Sequence, residues 1–469
     1  MILAIDQGTT GTTCLVVDER LRVRGRGYRE LRQGFPRPGW VEHDPQEIHA
    51  GVVSAAEAAL TDAEVGAAAL AAVGIANQRE TTILWERASG GPVAPAIVWQ
   101  DRRTAARCRE LPAELLRERT GLVPDSYFSA TKLEWLLAHT DLPPDELAFG
   151  TVDAWLAWRL AGEHATDRTN ASRTLLYALA ADAWDDELLA LFGVPRAVLP
   201  RVVGSAEVVG EAALLGATVP VAALAGDQQA ALAGHGCFAA GEAKATYGTG
   251  SFVLAHAGAE PPPPPPGLLA TAAAPSGYAL EGAVLTSGAA VQWLRDGLGL
   301  VGSATETEAL ARSVDSSEGV IFVPALTGLG SPHWEPEARG LLSGITRGTT
   351  RAHVVRSTLE AVAFQIADVL DALPLELRAL RADGGASANG FLMQFQADVL
   401  GLPVVVAAER ETTALGAAVL AGLALGAWSP MQVRGLLGAG AVYEPAMSRD
   451  EAETLREAWR LAVRRALLR

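Results

Sequence analysis

Cysteine is scarce. Cys14, Cys108 and Cys237 stand far apart among 469 residues, an odd number with neither zinc-type spacing nor a disulfide framework, as expected of buried thiols in a reducing compartment. No apolar run approaches the ~18 uninterrupted residues of a membrane span. Cationic residues are outnumbered 38 to 54, for a formal net charge of −16. A nucleic acid or an anionic membrane is therefore repelled outside any local basic patch, whereas a small phosphate-bearing ligand is not. The Gly-x-x-x-x-Gly-Lys-Ser/Thr phosphate loop is missing as well. The expectation is a cytoplasmic globular protein. At 49% hydrophobic the chain is too long for one core, so two domains of roughly 200 residues or more are expected.

What is present begins at once. Ile2 to Ile5 is apolar, Asp6 closes the run, and Gln7-Gly8-Thr9-Thr10-Gly11-Thr12-Thr13 leads into a second apolar run, Cys14 to Val17. Two short strands joined by a glycine-containing turn let backbone N–H groups approach an anion. Thr9 and Thr10 can donate to phosphate oxygens, and Asp6 can hold a hydrated Mg²⁺. An ordinary hairpin with turn-forming Asp and Gly reads equally well from this stretch alone. With the hairpin at the very start, no signal peptide is expected.

The design recurs. Ala243 to Tyr247, Gly248-Thr249-Gly250 and Ser251 to Ala255 again give strand, glycine–hydroxyl turn and strand. Asp383-Gly384-Gly385-Ala386-Ser387-Ala388-Asn389 follows a strand and opens a helix, whose N-terminus favours an anion. Each turn alone is explained by positive φ at glycine; their joint occurrence at strand ends is what points to a polyphosphate. Two domains follow, 1–237 and 238–469, each starting on its own hairpin. Asp44 is placed to cap a helix from Pro45 to Leu60. Val219 to Ala225 reads as a strand delivering Asp227 to a strand-to-helix corner, where it serves either as a proton acceptor or as a helix cap. The run Pro261 to Pro266 reads as a stiff surface loop, and the last helix, Asp450 to Leu468, as solvated.

Taken in order, Asp6-Gln7-Gly8-Thr9-Thr10, Asn77-Gln78-Arg79-Glu80-Thr81-Thr82, Gly226-Asp227-Gln228-Gln229, Tyr247-Gly248-Thr249-Gly250 and Asp383-Gly384-Gly385 resemble the FGGY family of carbohydrate kinases, in particular its members acting on glycerol. The resemblance spans almost the whole chain. It implies an α/β protein of two ribonuclease-H-like domains, of the actin and hexokinase type, flanking a cleft. It further implies transfer of the γ-phosphoryl of ATP to glycerol, giving sn-glycerol 3-phosphate, with Mg²⁺ as cofactor and a homo-oligomer as the assembled form.

Site residues carry over position by position. The resemblance makes Asp227 the general base, as a weakly nucleophilic alcohol requires. Arg79, Glu80, Tyr127, Gln228, Trp99 and Phe252 would surround glycerol. Thr9, Thr10, Gly11, Thr249, Gly288, Gln292, Gly385 and Asn389 would bind the nucleotide, and Asp6 the metal through water. Read without the family, Arg79 and Glu80 form a surface ion pair worth under about 1 kcal/mol, and the aromatics are core residues.

Two departures stand out. Thr13 occupies the place where many such kinases carry an arginine toward the transferred phosphate, so some transition-state charge is uncompensated. Glu211 to Ala217 lacks the glycine- and lysine-rich loop through which some relatives bind fructose 1,6-bisphosphate, and no histidine stands nearby to accept a phosphate, so neither control is expected. A sister kinase of polyols or pentuloses and a noncatalytic nucleotide switch are the competing readings.

Overall fold

The computed structural model describes residues 1–468. Its first sheet is built from β1 (Ile2–Gln7), β2 (Gly11–Val17), β3 (Val23–Glu30), β4 (Ala72–Asn77), β5 (Gly210–Leu214) and β6 (Ala217–Gly226), in the order β5-β6-β4-β1-β2-β3. β1, β2 and β3 form an antiparallel meander, while β4 and β6 run parallel to β1. In register, Gln7 stands beside Asn77 and Asn77 beside Gly226. Three strand ends thus meet along one edge, where open α/β sheets place their ligands.

The second sheet repeats the plan. It contains β7 (Ala243–Tyr247), β8 (Ser251–Gly258), β9 (Leu269–Ala272), β10 (Tyr278–Val284), β11 (Leu380–Asp383), β12 (Val404–Ala407) and β13 (Ala439–Tyr443), ordered β9-β10-β8-β7-β11-β12-β13. An antiparallel trio, β10, β8 and β7, is again extended by parallel strands, β11 and β12.

The helices follow from where apolar residues fall. α1 (Pro45–Asp62) is capped by Asp44, which accepts from the Gln46 N–H at 2.8 Å, and buries Ile48, Val52, Ala55, Ala56 and Ala59. With α2 (Val152–Ala161) it covers one face of the first sheet. The other face packs on α3 (Asp227–Gly234) and α7 (Thr412–Ala424). Between these two come α4 (Gly288–Gln292), α5 (Arg351–Asp371) and α6 (Gly390–Leu400), and α8 (Arg449–Leu467) closes the chain; α5, α6 and α8 cover the far face of the second sheet. α3 reaches the near face through Leu232 and Leu254.

α7 comes late in the chain yet packs on the first sheet, and this depends on small residues. A Cβ on Gly416 would lie 1.8 Å from the Ala230 carbonyl oxygen, so only glycine lets α7 and α3 touch backbone to backbone. Ala414, Ala417, Ala418 and Ala421 continue the same close packing along α7.

Several local expectations shift. α3 starts at Asp227, with Gly226 as the capping residue, so Asp227 is not the cap. The turn after Asp383 is a 3-10 turn over Gly385–Ala388, and α6 itself waits for Gly390. The last helix is only half solvated. It buries Trp459, Ala462 and Val463, and Trp459 stacks on Phe364 and donates its N–H to Asp368 at 2.7 Å. The proline run lies between β8 and β9, where Arg117 donates to the carbonyls of Pro264 and Pro265 at 2.7 and 2.6 Å. Among the described residues no helix is long and apolar enough to cross a membrane.

Candidate active site

Arg79 leaves the end of β4 buried, not exposed, and takes its two-pronged partner from the other half of the chain. Its two terminal nitrogens grip Glu281 of β10 at 2.6 and 3.0 Å, and Nη1 also donates to Gln229 at 3.3 Å. Its Nε lies 3.2 Å from Asp227 Oδ1 and 3.8 Å from Glu80 Oε1. Glu80 in turn accepts from Arg173 Nε at 2.6 Å, and Arg173 Nη2 lies 3.3 Å from Glu281 without hydrogen-bond alignment. The surface ion pair read from sequence is therefore a buried network of two arginines and two glutamates, a different energetic class.

The charges explain one another. Burial alone would raise Glu281, but Arg173 and Arg79 outweigh it and hold the carboxyl at about 2. At Glu80 burial wins over the same arginines and its carboxyl stays raised. Close packing forces the geometry, since a Cβ on Gly226 would sit 2.7 Å from Arg79 Cδ. Glu80 itself adopts φ 63°, a left-handed backbone that a non-glycine residue holds only when its surroundings over-determine it.

Asp227 opens α3 with its carboxylate 30% exposed, the accessible acid of this network. Oδ1 accepts from the Gln228 backbone N–H at 2.7 Å, and Oδ2 from the Gln228 side-chain amide at 3.3 Å. Trp99 and Tyr127 meet edge to face with centroids 5.4 Å apart. The buried Lys132 fixes the Tyr127 segment by donating to that residue's carbonyl at 2.7 Å. Phe252 sits half-buried on β8 opposite Thr246 and Ala283. Its register puts it on the sheet face that carries Glu281 and Lys244.

The first hairpin turn closes with the Gly8 N–H donating to the Gly11 carbonyl at 2.9 Å, and the Trp99 indole N–H donates to Thr9 Oγ1 at 2.9 Å. Thr10 is exposed and Gly11 buried against Tyr28. Asp6, at the end of β1, has its carboxyl raised well above the usual carboxylate range by burial and then by the charges of Asp227 and Glu411. Both neighbouring charges are negative and no ion pair relieves it among the described residues. A hard divalent cation beside these oxygen donors would do so. No compact group of three or more acidic, histidine or cysteine ligands occurs among the described residues, so a cation there needs oxygens from elsewhere.

On the second half a cavity of about 430 Å³ opens beside the second hairpin, lined by Thr249, Gly288, Gln292, Gly385 and Asn389. Five of the eight nucleotide positions expected from sequence thus meet in one place, while Thr9, Thr10 and Gly11 belong to the first sheet's hairpin. The turn locks onto α4, with the N–H groups of Gly288 and Ala289 donating to the carbonyls of Gly248 and Thr249, each at 2.9 Å. Asn389 caps α6 through the Leu392 N–H at 3.0 Å and donates to Thr307 at 3.2 Å.

Sequence reasoning gave no role to Glu281, Arg173 or Lys244, and read Asp383 only as the head of a glycine turn; it is buried, and His235 at 2.9 Å and Thr412 both bond to it. Glu281 looks like one polar residue in an apolar strand. A charge in such a run is the available signal, because burying it demands a partner.

Comparison with known proteins accords with this architecture. Residues 1–234 match the N-terminal domain, and residues 243–425 the C-terminal domain, of the FGGY family of carbohydrate kinases. A glycerol kinase of Deinococcus radiodurans is 52% identical, covering 99% of this chain and 97% of its own. One of Bordetella parapertussis is 51% identical over 98% and 96%. The crystal structure of Plasmodium falciparum glycerol kinase with ADP superposes with a TM-score of 0.93 at 34% identity, covering 100% of this chain and 98% of that one. A Lactobacillus acidophilus gluconate kinase, 23% identical with a TM-score of 0.90 over 99% and 98%, shares the fold.

Proposed function

Because the chain belongs to the FGGY family of carbohydrate kinases, we propose that its cleft transfers the γ-phosphoryl group of ATP to a terminal hydroxyl of glycerol. The observation that carries this reading is Asp227, a partly exposed carboxylate beside a buried arginine. An alcohol needs such an acceptor as its oxygen attacks phosphorus.

The residues divide the work by chemistry. Arg79, fixed by Glu281, presents a donor and Glu80 an acceptor to neighbouring hydroxyls. Arg79 is too firmly held to turn away, so its orientation is set before substrate arrives. Trp99, Tyr127 and Phe252 exclude water from the carbon chain, and Gln228 adds a polar contact. Asp227 orients the attacking hydroxyl and takes its proton. Gly288, Gln292, Gly385 and Asn389 hold the nucleoside, while Thr9, Thr10, Gly11 and Thr249 donate to the phosphates from both sides of the cleft. Asp6 would hold Mg²⁺ through water; when bound, that ion offsets phosphate charge. We assign the two units as 1–237 and 238–469, and place the enzyme in the cytoplasm as a homo-oligomer.

A coupled assay of glycerol-dependent ADP release tests the proposal. Turnover on glycerol should exceed that on dihydroxyacetone, erythritol and xylulose. Preference for xylulose or erythritol would make the chain a sister kinase, and ADP release without any polyol dependence would remove the alcohol from the reaction.

A further inference from the structure

Lys244 is fully buried on β7 and has no ion pair among the described residues, yet it lies against the centre of the site. Its ammonium donates to Gln228 Oε1 and, at 2.8 Å, to Thr246 Oγ1. Burial disfavours its charge, and Asp383 and Asp227 restore part of it. A methionine would fill the same space without the desolvation cost, so the fold alone has little use for an ammonium here.

The chemistry of the two side chains supplies a use. A carboxamide shows oxygen on one side and N–H groups on the other, and Lys is a donor only. The atom that Gln228 turns to Lys244 must therefore be its oxygen. The amide nitrogen is then left facing Asp227 Oδ2, at 3.3 Å. With the amide reversed, a carbonyl oxygen would press on a carboxylate and push it away.

We infer that Lys244 is a positioning residue for phosphoryl transfer: by claiming the carbonyl oxygen of Gln228, it turns that amide into a donor that fixes the Asp227 carboxylate. The inference rests on the function proposed above. The groups around Asp227 are Arg79 from the loop after β4, Asp6 from β1, Gln228 on its own helix, and Lys244 from β7. Glu80 and Glu281 act on it through Arg79, and Asp383 faces Lys244 from β11. Gln228 is the one neutral member whose effect depends on which way it points.

Steady-state kinetics of the wild type, Lys244→Met, Gln228→Ala and the double variant test this, together with crystals of Lys244→Met. We expect Lys244→Met to lower kcat about tenfold or more, with the KM for ATP unchanged within about twofold. The nucleotide cavity contains neither residue. The double variant should be no slower than Gln228→Ala alone, because the lysine acts through the glutamine. In the crystals Asp227 should leave its place beside Arg79 and Gln228.

Independent, multiplying losses, an unchanged kcat, or an undisplaced Asp227 would overturn the inference. The crystal result holds whatever the substrate proves to be, so a wild type inactive on glycerol defeats the proposed function without deciding this point. If Lys244→Met does not fold, Gln228→Glu replaces it. That variant keeps the lysine's acceptor but loses the N–H facing Asp227, and a kcat near wild type would sink the inference.

Discussion

The indole N–H of Trp99 donates to the hydroxyl oxygen of Thr9 across 2.9 Å, joining the aromatic wall of the proposed polyol site to the first phosphate turn. Trp99→Phe keeps a ring in the wall and frees the threonine. A lost neutral hydrogen bond is worth about 1 kcal/mol, so kcat/KM should fall roughly fivefold, mainly through looser positioning of ATP. Measured KM values for both substrates decide this, and a change confined to glycerol would show that the bond has no bearing on the phosphates.

Asp227→Asn retains the shape at the start of α3 and removes the proposed proton acceptor. The catalytic constant should drop roughly 10²–10⁴-fold, with ATP binding little altered. A near-normal rate would move the role of base to another residue.

Glu281 sets an acid limit on stability. Burial alone would raise it, but Arg173 and Arg79 hold it at about 2 against an ordinary 4.5, so the unfolded chain takes up the proton before the folded one does. The stabilisation is full above about pH 4.5 and is lost as the pH falls toward 2, about 3 kcal/mol in all by linkage. Glu281→Gln should flatten that part of the acid-unfolding curve. At neutral pH it should cost roughly 3–5 kcal/mol, since two buried arginines lose one of the negative charges that compensate them. Circular dichroism across the pH range checks both effects.

Thr13 stands directly opposite Asp6 in the β1–β2 register, so both side chains leave the same face of the hairpin. An arginine introduced there would neighbour the carboxylate that burial, Asp227 and Glu411 hold high, and would add charge at the proposed phosphate site. Thr13→Arg should raise kcat. An unchanged or lower rate would mean that the existing cations already suffice.

The segment expected to lack the sugar-bisphosphate loop is a tight hairpin at the sheet edge. β5 and β6 are joined by Leu215 and Gly216, at φ 47° and 82°, and Glu211 to Ala217 contains no cation. Adding fructose 1,6-bisphosphate should leave activity unchanged in an otherwise standard assay. A clear inhibition would reveal a site elsewhere on the surface.

The chain alone determined its short-range features. Glycine-rich turns at residues 8–11, 248–250 and 384–385, the Asp44 cap and the apolar strands depend on neighbours a few positions away, so they could be read directly. The arrangement of motifs along the chain also pointed to the family. Only the folded molecule decided that Arg79 is buried and meets Glu281, 202 positions away. Only the fold made Lys244 turn Gln228 toward Asp227, and set α7 against the first sheet. A charge in an apolar strand announces that it needs a partner, but which partner depends on strand register and on glycines thin enough to let two backbones meet. Those are properties of packing, and no local stretch of residues contains them.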